Sequence, residues 1–166
     1  MTEDTTDDPS SATATPEDRP ITPTMDIYNQ PEANLVEIAI MADFIGFPVT
    51  LYLPWGIAAG HVASPKKYYE HLGERARSGI SDPNLPDGWG EVLEKWAELH
   101  FDGLAEMAPS ERTEKMYYDG LNLTSHLALQ NAKCWAGGSV SPVEHDFLRV
   151  RLTDVTAWAW GAVEDR

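Results

Sequence analysis

The chain has 166 residues and a formal charge of −15, from 27 Asp and Glu side chains against 12 Lys and Arg. This length is typical of one domain, and 6 Trp, 6 Tyr and 4 Phe can supply the large side chains of a core. The negative charge disfavours nucleic acid and anionic lipid surfaces as partners, because both are bound mainly through Lys and Arg.

The cysteine content and the N-terminus indicate the cellular compartment. Cys134 is the only cysteine, so the chain cannot form an internal disulfide. Secreted domains of this size more often carry cysteine pairs, and the N-terminus lacks the basic and apolar regions of a secretory signal. No stretch approaches the roughly 20 apolar residues that span a bilayer. The sequence accordingly predicts a cytoplasmic protein with no membrane contact.

The first residues have the composition of a disordered segment. Residues 1–24 consist mainly of Thr, Ser, Asp, Glu and Pro. Such a segment buries too little apolar surface to offset the entropy that it would lose on ordering. We therefore predict a disordered acidic tail over 1–24 and a single α+β domain over 25–166. The alternative is that the tail orders when it binds a partner.

A helix and a strand hairpin are predicted after the tail. Apolar residues recur at helical spacing over 31–45. Residues 47–54 then alternate like a half-buried strand, and 57–63 are small and apolar like the strand that returns. Gly60 would permit a sharp bend or a close approach of another backbone.

A helical insertion is predicted over about 65–119. Ser64 suits an N-cap and Pro65 a first turn, which predicts a helix that ends near Gly79. A second helix is predicted over 91–107, and a short third helix begins at Pro109. The residues expected to share one face of the second helix are Leu93, Trp96, Ala97, His100 and Leu104.

Three further strands are predicted in the last third of the chain. Residues 123–130, 147–152 and 155–160 show the alternation of strands, with a turn or bulge between the last two. A leading helix and about five strands are typical of a small, strongly bent antiparallel barrel of the Sm-like or SH3-like kind. The predicted fold class is therefore α+β, with the helical insertion between strands two and three. Open edges of such a barrel can pair between subunits.

Three blocks of the sequence are similar to those of a known family. They are residues 49–60 (VTLYLPWGIAAG) with 67–70 (KYYE), residues 126–133 (HLALQNAK) and residues 148–158 (LRVRLTDVTAW). These blocks resemble the gas vesicle accessory protein U family. The resemblance implies a soluble cytoplasmic protein that associates with itself, modulates vesicle assembly or clustering, and has no substrate or cofactor. Its implied partners are further copies of the chain and gas vesicle shell proteins.

Five residues are candidate contacts with other subunits. Trp55, Trp158 and Trp160 could supply aromatic contact area, although tryptophans in the core or in a ring interface would explain them equally. Arg149 and Arg151 share one strand face, opposite to apolar neighbours, and could form ion pairs with another subunit.

The sequence contains no recognisable catalytic or metal-binding motif. The five histidines do not form a His-Glu-x-x-His run. Cys134 and His126 would lie about 27 Å apart on the same side of one extended strand, so we expect a buried, inert thiol. Residues 144–146 combine three polar groups, which we interpret as solvated residues of a loop. The sequence thus predicts a non-enzymatic protein without metal or cofactor.

Two other functions stay open. A ring of such barrels could bind RNA, although this would require more Lys and Arg around the pore. A small-molecule-binding or enzymatic domain would instead have a pocket between the barrel and the helical insertion. The residues expected in that pocket are His100, His126 or Tyr118.

Overall fold

The computed structural model describes residues 31–162 except 116, 119, 120 and 123. The predicted acidic tail lies outside these residues. The described part is α+β, with a five-stranded antiparallel sheet, a separate two-stranded hairpin and four helical runs. None of the described helices is both long enough and apolar enough to cross a bilayer.

The N-terminal helix α1, Ala33–Met41, is capped by a side chain. The carboxylate of Glu32 accepts hydrogen bonds from the backbone N–H of Asn34 and Leu35, at 3.1 and 2.9 Å. The helix was predicted to continue to residue 45, but the N–H of Asp43 bonds to the carbonyl of Ile40 and that of Phe44 to the carbonyl of Met41, so the chain passes into turns with bonds three residues back. The prediction was right about the helix and wrong about its end.

The predicted hairpin is present. Strand β1, Pro48–Leu53, pairs with β2, Gly56–Ala63, in an antiparallel register. On its other side β2 pairs with residues 128–136, and the register of this pairing shifts next to Gly60. Asn131, opposite this point, has a positive φ of 51°. A Cβ added to Gly60 would lie 2.9 Å from the carbonyl oxygen of Gln130. Of the two alternatives predicted for Gly60, a sharp bend or a close backbone approach, the close approach is therefore confirmed.

The five strands form one open sheet. The C-terminal strands are β5, His126–Ala136, β6, Val143–Arg151, and β7, Ala157–Trp160. The order is β6-β5-β2-β1-β7, so the last strand returns beside the first, and β6 and β7 are the two edges. Five antiparallel strands were predicted correctly, but the described sheet is not closed into a barrel.

Strand β6 is longer than predicted. It begins at Val143, because its pairing with β5 continues to Cys134 at the far end of that strand. Residues 144–146, which we interpreted as a loop, therefore belong to β6. Successive side chains of a strand point to opposite faces, so these three polar groups do not converge.

The insertion is mainly helical. It contains α2, Pro65–Ser78, α3, Trp89–Ala97, a π-helical segment, Glu98–Asp102, α4, Gly103–Glu106, and α5, Pro109–Lys115. The side chain of Ser64 caps α2 as predicted, because its Oγ accepts a bond from the N–H of Lys67 at 3.2 Å. The short strands β3, Tyr117–Tyr118, and β4, Leu121–Asn122, then form a separate hairpin.

The predicted apolar face of the helix over 91–107 is only partly buried. Ala97 is fully buried, whereas Trp96, His100 and Leu104 are exposed. The π-helical segment after Ala97 explains the exposure of His100 and Leu104, because a wider turn rotates the following side chains away from a 3.6-residue stripe. Trp96 precedes that segment and is 46% exposed within α3 itself. Regular helical spacing therefore does not predict this face.

The core lies between α1 and one face of the sheet. Its largest fully buried side chains are Leu35, Val49, Leu51, Leu127, Leu129 and Leu152. Burial of each such side chain stabilises the fold by about 1.5–3 kcal/mol. The opposite face of β5 and β6 is covered by α2. The cavity described below lies between this face and the helical insertion.

Candidate functional site

The edge strand β7 carries an aromatic cluster. The ring of Trp160 lies 5.2 Å from that of Trp158 and 5.3 Å from that of Phe47, both in edge-to-face geometry. Trp158 is half-buried, and its indole Nε1 donates to the carboxylate of Glu32 at 3.0 Å. Trp160 is 60% exposed. One of these tryptophans is therefore held in place within the chain, and the other faces outward.

Further apolar side chains are exposed at the end of α1 and in the connection that leads to Phe47. Met41, Phe44 and Ile45 are all exposed, and Phe44 is 77% exposed. A cleft of about 520 Å³ runs between α1 and β7 and is lined by Met41, Phe47 and both tryptophans of the strand. We call these residues the β7 patch: Met41, Phe44, Ile45, Phe47, Trp158 and Trp160. The sequence offered a signal for it, namely three apolar residues in the connection after α1.

Trp55 is at a different place. It lies in the turn between β1 and β2 and is 47% exposed. Its carbonyl accepts a hydrogen bond from the N–H of Gly137, at the end of β5. The structure therefore does not group Trp55 with Trp158 and Trp160.

The two candidate arginines lie on the opposite edge of the sheet. Arg149 and Arg151 are exposed on β6, where they pair in register with Ala128 and His126 of β5. The guanidinium carbon of Arg149 lies 5.6 Å from the ring centre of Tyr68, within the range of a cation–π interaction. The five candidate contacts thus occupy three separate regions of the surface.

A cavity of about 220 Å³ lies between the helical insertion and the outer face of β5 and β6, and we call it the α2 cavity. His126, which was expected in such a pocket, lines it. His100 instead packs near the ring of Trp96, at 5.9 Å, and the side chain of Tyr118 lies outside the described part. The described residues that line the cavity are Pro65, Tyr68, Tyr69, Leu104, Met107, Arg112, Thr124, Ser125, His126, Ala128 and Arg149.

Arg112, which lines the α2 cavity, belongs to a buried ion pair. Both oxygens of Asp43 accept bonds from Nη1 of Arg112, at 2.5 and 2.7 Å, and each side chain is 8% exposed. Nη2 of Arg112 donates to the carbonyls of Leu104 and Met107, at 3.3 and 2.8 Å. The pair connects α5 to the turn after α1. Its partners are 69 residues apart, so sequence spacing could not reveal it.

Cys134 and His126, considered above as a possible catalytic pair, do not lie together. Cys134 is 7% exposed in the core, and burial raises the pKa of its thiol. His126 lies on the other face of β5, because the irregularity near Asn131 changes the alternation between them. The expectation that the two share one side was wrong. Over the described ranges of the chain, His, Cys, Asp and Glu nowhere gather in groups of three that could hold a metal.

These features define an α+β protein with an open antiparallel sheet, an aromatic patch on one edge strand and a small cavity near the other. Compared with protein-family models, with curated proteins and with solved structures, the chain matches none of them.

Proposed function

We propose that the protein is a non-enzymatic, cytoplasmic accessory protein that associates with itself through the edges of its sheet. The observation that carries this proposal is the β7 patch beside an edge strand. An edge strand presents backbone N–H and C=O groups that can pair with another chain. Exposed apolar groups around such an edge add the area that an interface between subunits requires.

The second edge supports the same proposal. Among the described residues, β6 has no strand neighbour on the side away from β5, and β7 has none away from β1. An edge of one copy that pairs with the other edge of the next copy would form a ring or a filament. We include in this proposal that the sheet is curved in the manner of an Sm-like or SH3-like small barrel, with the irregularity at Gly60 as its bend.

We further propose that the assembly acts on gas vesicles, by modulating their assembly or their clustering. The support is the resemblance of the three sequence blocks to the gas vesicle accessory protein U family. Residues 49–60, 126–133 and 148–158 lie in the five-stranded sheet or its turns, and residues 67–70 lie in α2. The proposed partners are further copies of the chain and gas vesicle shell proteins, with Trp55 and Arg151 as additional contacts.

Light scattering coupled to size-exclusion chromatography tests self-association. We expect the wild-type protein to form oligomers at high concentration and Trp160→Lys to shift the population toward monomer, since the substitution places a charge at an apolar edge. Trp89→Lys is the matched control, because Trp89 is 51% exposed on α3. A wild-type protein that is monomeric at high concentration would refute the proposal.

The link to gas vesicles has its own test. Isolated vesicles float, so a protein that binds them moves into the buoyant fraction when the two are mixed and centrifuged. We expect the wild-type protein in that fraction and Trp160→Lys at a reduced level. A protein that self-associates but stays in the lower fraction would refute the vesicle role and leave the self-association intact.

A further inference from the structure

The α2 cavity has the apolar walls of a small-ligand site. Tyr68 and Tyr69 are half-buried, with ring centres 5.4 Å apart in edge-to-face geometry. Leu104 and Met107 add aliphatic and thioether surface from the helical insertion. Ligand sites are usually lined in this way, with a few polar groups that orient the ligand.

One of the polar groups that line the cavity is the cation Arg149. Arg149 lies above both tyrosine rings, with its guanidinium carbon 5.6 and 6.0 Å from their centres. Within the described part of the chain, no carboxylate forms an ion pair with Arg149. A guanidinium that stacks on a ring keeps its N–H groups in its own plane, where they can bind a carboxylate. Arg112 differs, because Asp43 and two carbonyls already use its donors.

A second basic side chain lies beside this cation. His126 lines the cavity, and its Nδ1 lies 2.9 Å from Oγ of Ser125. Burial, and after it the charges of Arg149 and Arg151, lower the pKa of His126, while Asp154 acts in the opposite direction. Two guanidinium groups and one carboxylate thus act on His126, so positive charge predominates at this end of the cavity although the whole chain carries a formal charge of −15. Such a local reversal favours an anionic ligand.

The volume limits the size of that ligand. Cavities of about 150 Å³ bind benzene, and drug-sized ligands occupy about 300–1,000 Å³. The α2 cavity, at about 220 Å³, therefore accommodates one aromatic ring with a small substituent. A nucleotide is too large for it.

We infer that the α2 cavity binds a small aromatic carboxylate, with Arg149 holding the carboxylate and Tyr68 and Tyr69 packing against the ring. His126 and Ser125 supply further polar contacts at the same end. This binding function goes beyond the proposed self-association and does not depend on it, because the cavity is formed within one chain.

Titration of the full chain with sodium benzoate, followed by amide NMR shifts, tests the inference. We expect saturable shifts around His126 and Ala128 with a Kd below about 1 mM. Benzamide, which has nearly the same shape without the charge, should bind at least tenfold more weakly. The variant Arg149→Gln should lose at least tenfold in affinity for benzoate and keep its affinity for benzamide.

The control variant is Arg75→Gln, because Arg75 is exposed on α2 and does not line the cavity. It should bind benzoate like the wild type. The inference is wrong if benzoate and benzamide bind equally, if Arg149→Gln binds benzoate normally, or if 10 mM benzoate, about tenfold above the expected Kd, causes no shift at these residues. Light scattering of the same samples measures self-association separately, so failure of one proposal is distinguishable from failure of the other.

Discussion

Removal of Arg112 should destabilise the protein more than any other change of a charged side chain considered above. The guanidinium makes two bonds to Asp43 and two to backbone carbonyls in a site where both side chains are 8% exposed. Arg112→Leu leaves the carboxylate of Asp43 buried without its counter-ion, which typically costs about 3–5 kcal/mol. Small proteins have a total stability of about 5–15 kcal/mol, so the loss is a large fraction of it.

Urea denaturation followed by circular dichroism measures this loss. With a slope of about 2 kcal/mol/M, a loss of about 4 kcal/mol lowers the midpoint by about 2 M. The double variant Asp43→Leu with Arg112→Leu should be more stable than Arg112→Leu alone, because no buried charge remains. It should still lie about 2 kcal/mol below the wild type, since two carbonyls lose a donor at about 1 kcal/mol each.

Arg77→Leu is the matched control. Arg77 also bonds two carboxylates, those of Glu94 and Asp102, but its side chain is 33% exposed. Water screens such a pair, so its loss should lower the urea midpoint much less than the loss of Arg112 does. The reasoning is refuted if Arg112→Leu costs no more than Arg77→Leu, or if the double variant is less stable than Arg112→Leu.

Three further predictions concern individual positions. Gly56→Ala should lower the free energy of unfolding in urea by about 3 kcal/mol or more, because φ is +151° there and an added Cβ would lie 1.9 Å from the carbonyl oxygen of Trp135. Gly137→Ala is the control and should be nearly neutral, because an added Cβ there meets nothing within 4 Å. The folded state lowers the pKa of His126, so the unfolded chain binds a proton there more readily. The free energy of unfolding should therefore fall as the pH is lowered from 7 through the ordinary histidine pKa of about 6.5 and on through the lower folded-state pKa. His126→Gln should reduce this dependence of stability on pH. Cys134 should react with a disulfide reagent only as fast as the protein unfolds, and an immediate reaction of the native protein would contradict its burial.

The local elements were predictable where a nearby residue decides them. Ser64 and Pro65 mark the start of α2 because their capping chemistry acts within one turn. The alternation of residues 49–53 predicted β1 because one face of the strand is buried. The exposure of His100 and Leu104 was not predictable, since the π-helical segment after Ala97 changes the helical spacing and the sequence contains no signal for it.

The residues of the candidate site were also predictable only in part. The sequence offered Trp158 and Trp160 as candidate contacts between subunits and His126 as one of three candidate residues of a pocket. It did not indicate that Trp158 is anchored by Glu32, or that Tyr68 and Tyr69 lie beneath Arg149. These contacts join parts of the chain that are far apart in sequence.

The amino-acid sequence by itself determined the acidic character, the α+β class and most of the helices and strands, because each depends on composition or on spacing between near neighbours. Only the tertiary structure decided the strand order, the open edges, the buried pair of Asp43 and Arg112, and the α2 cavity. The physical reason is that pairing between strands and burial of charge depend on which distant segments meet. The packing of the whole domain determines which segments meet, and the local propensities of the residues do not.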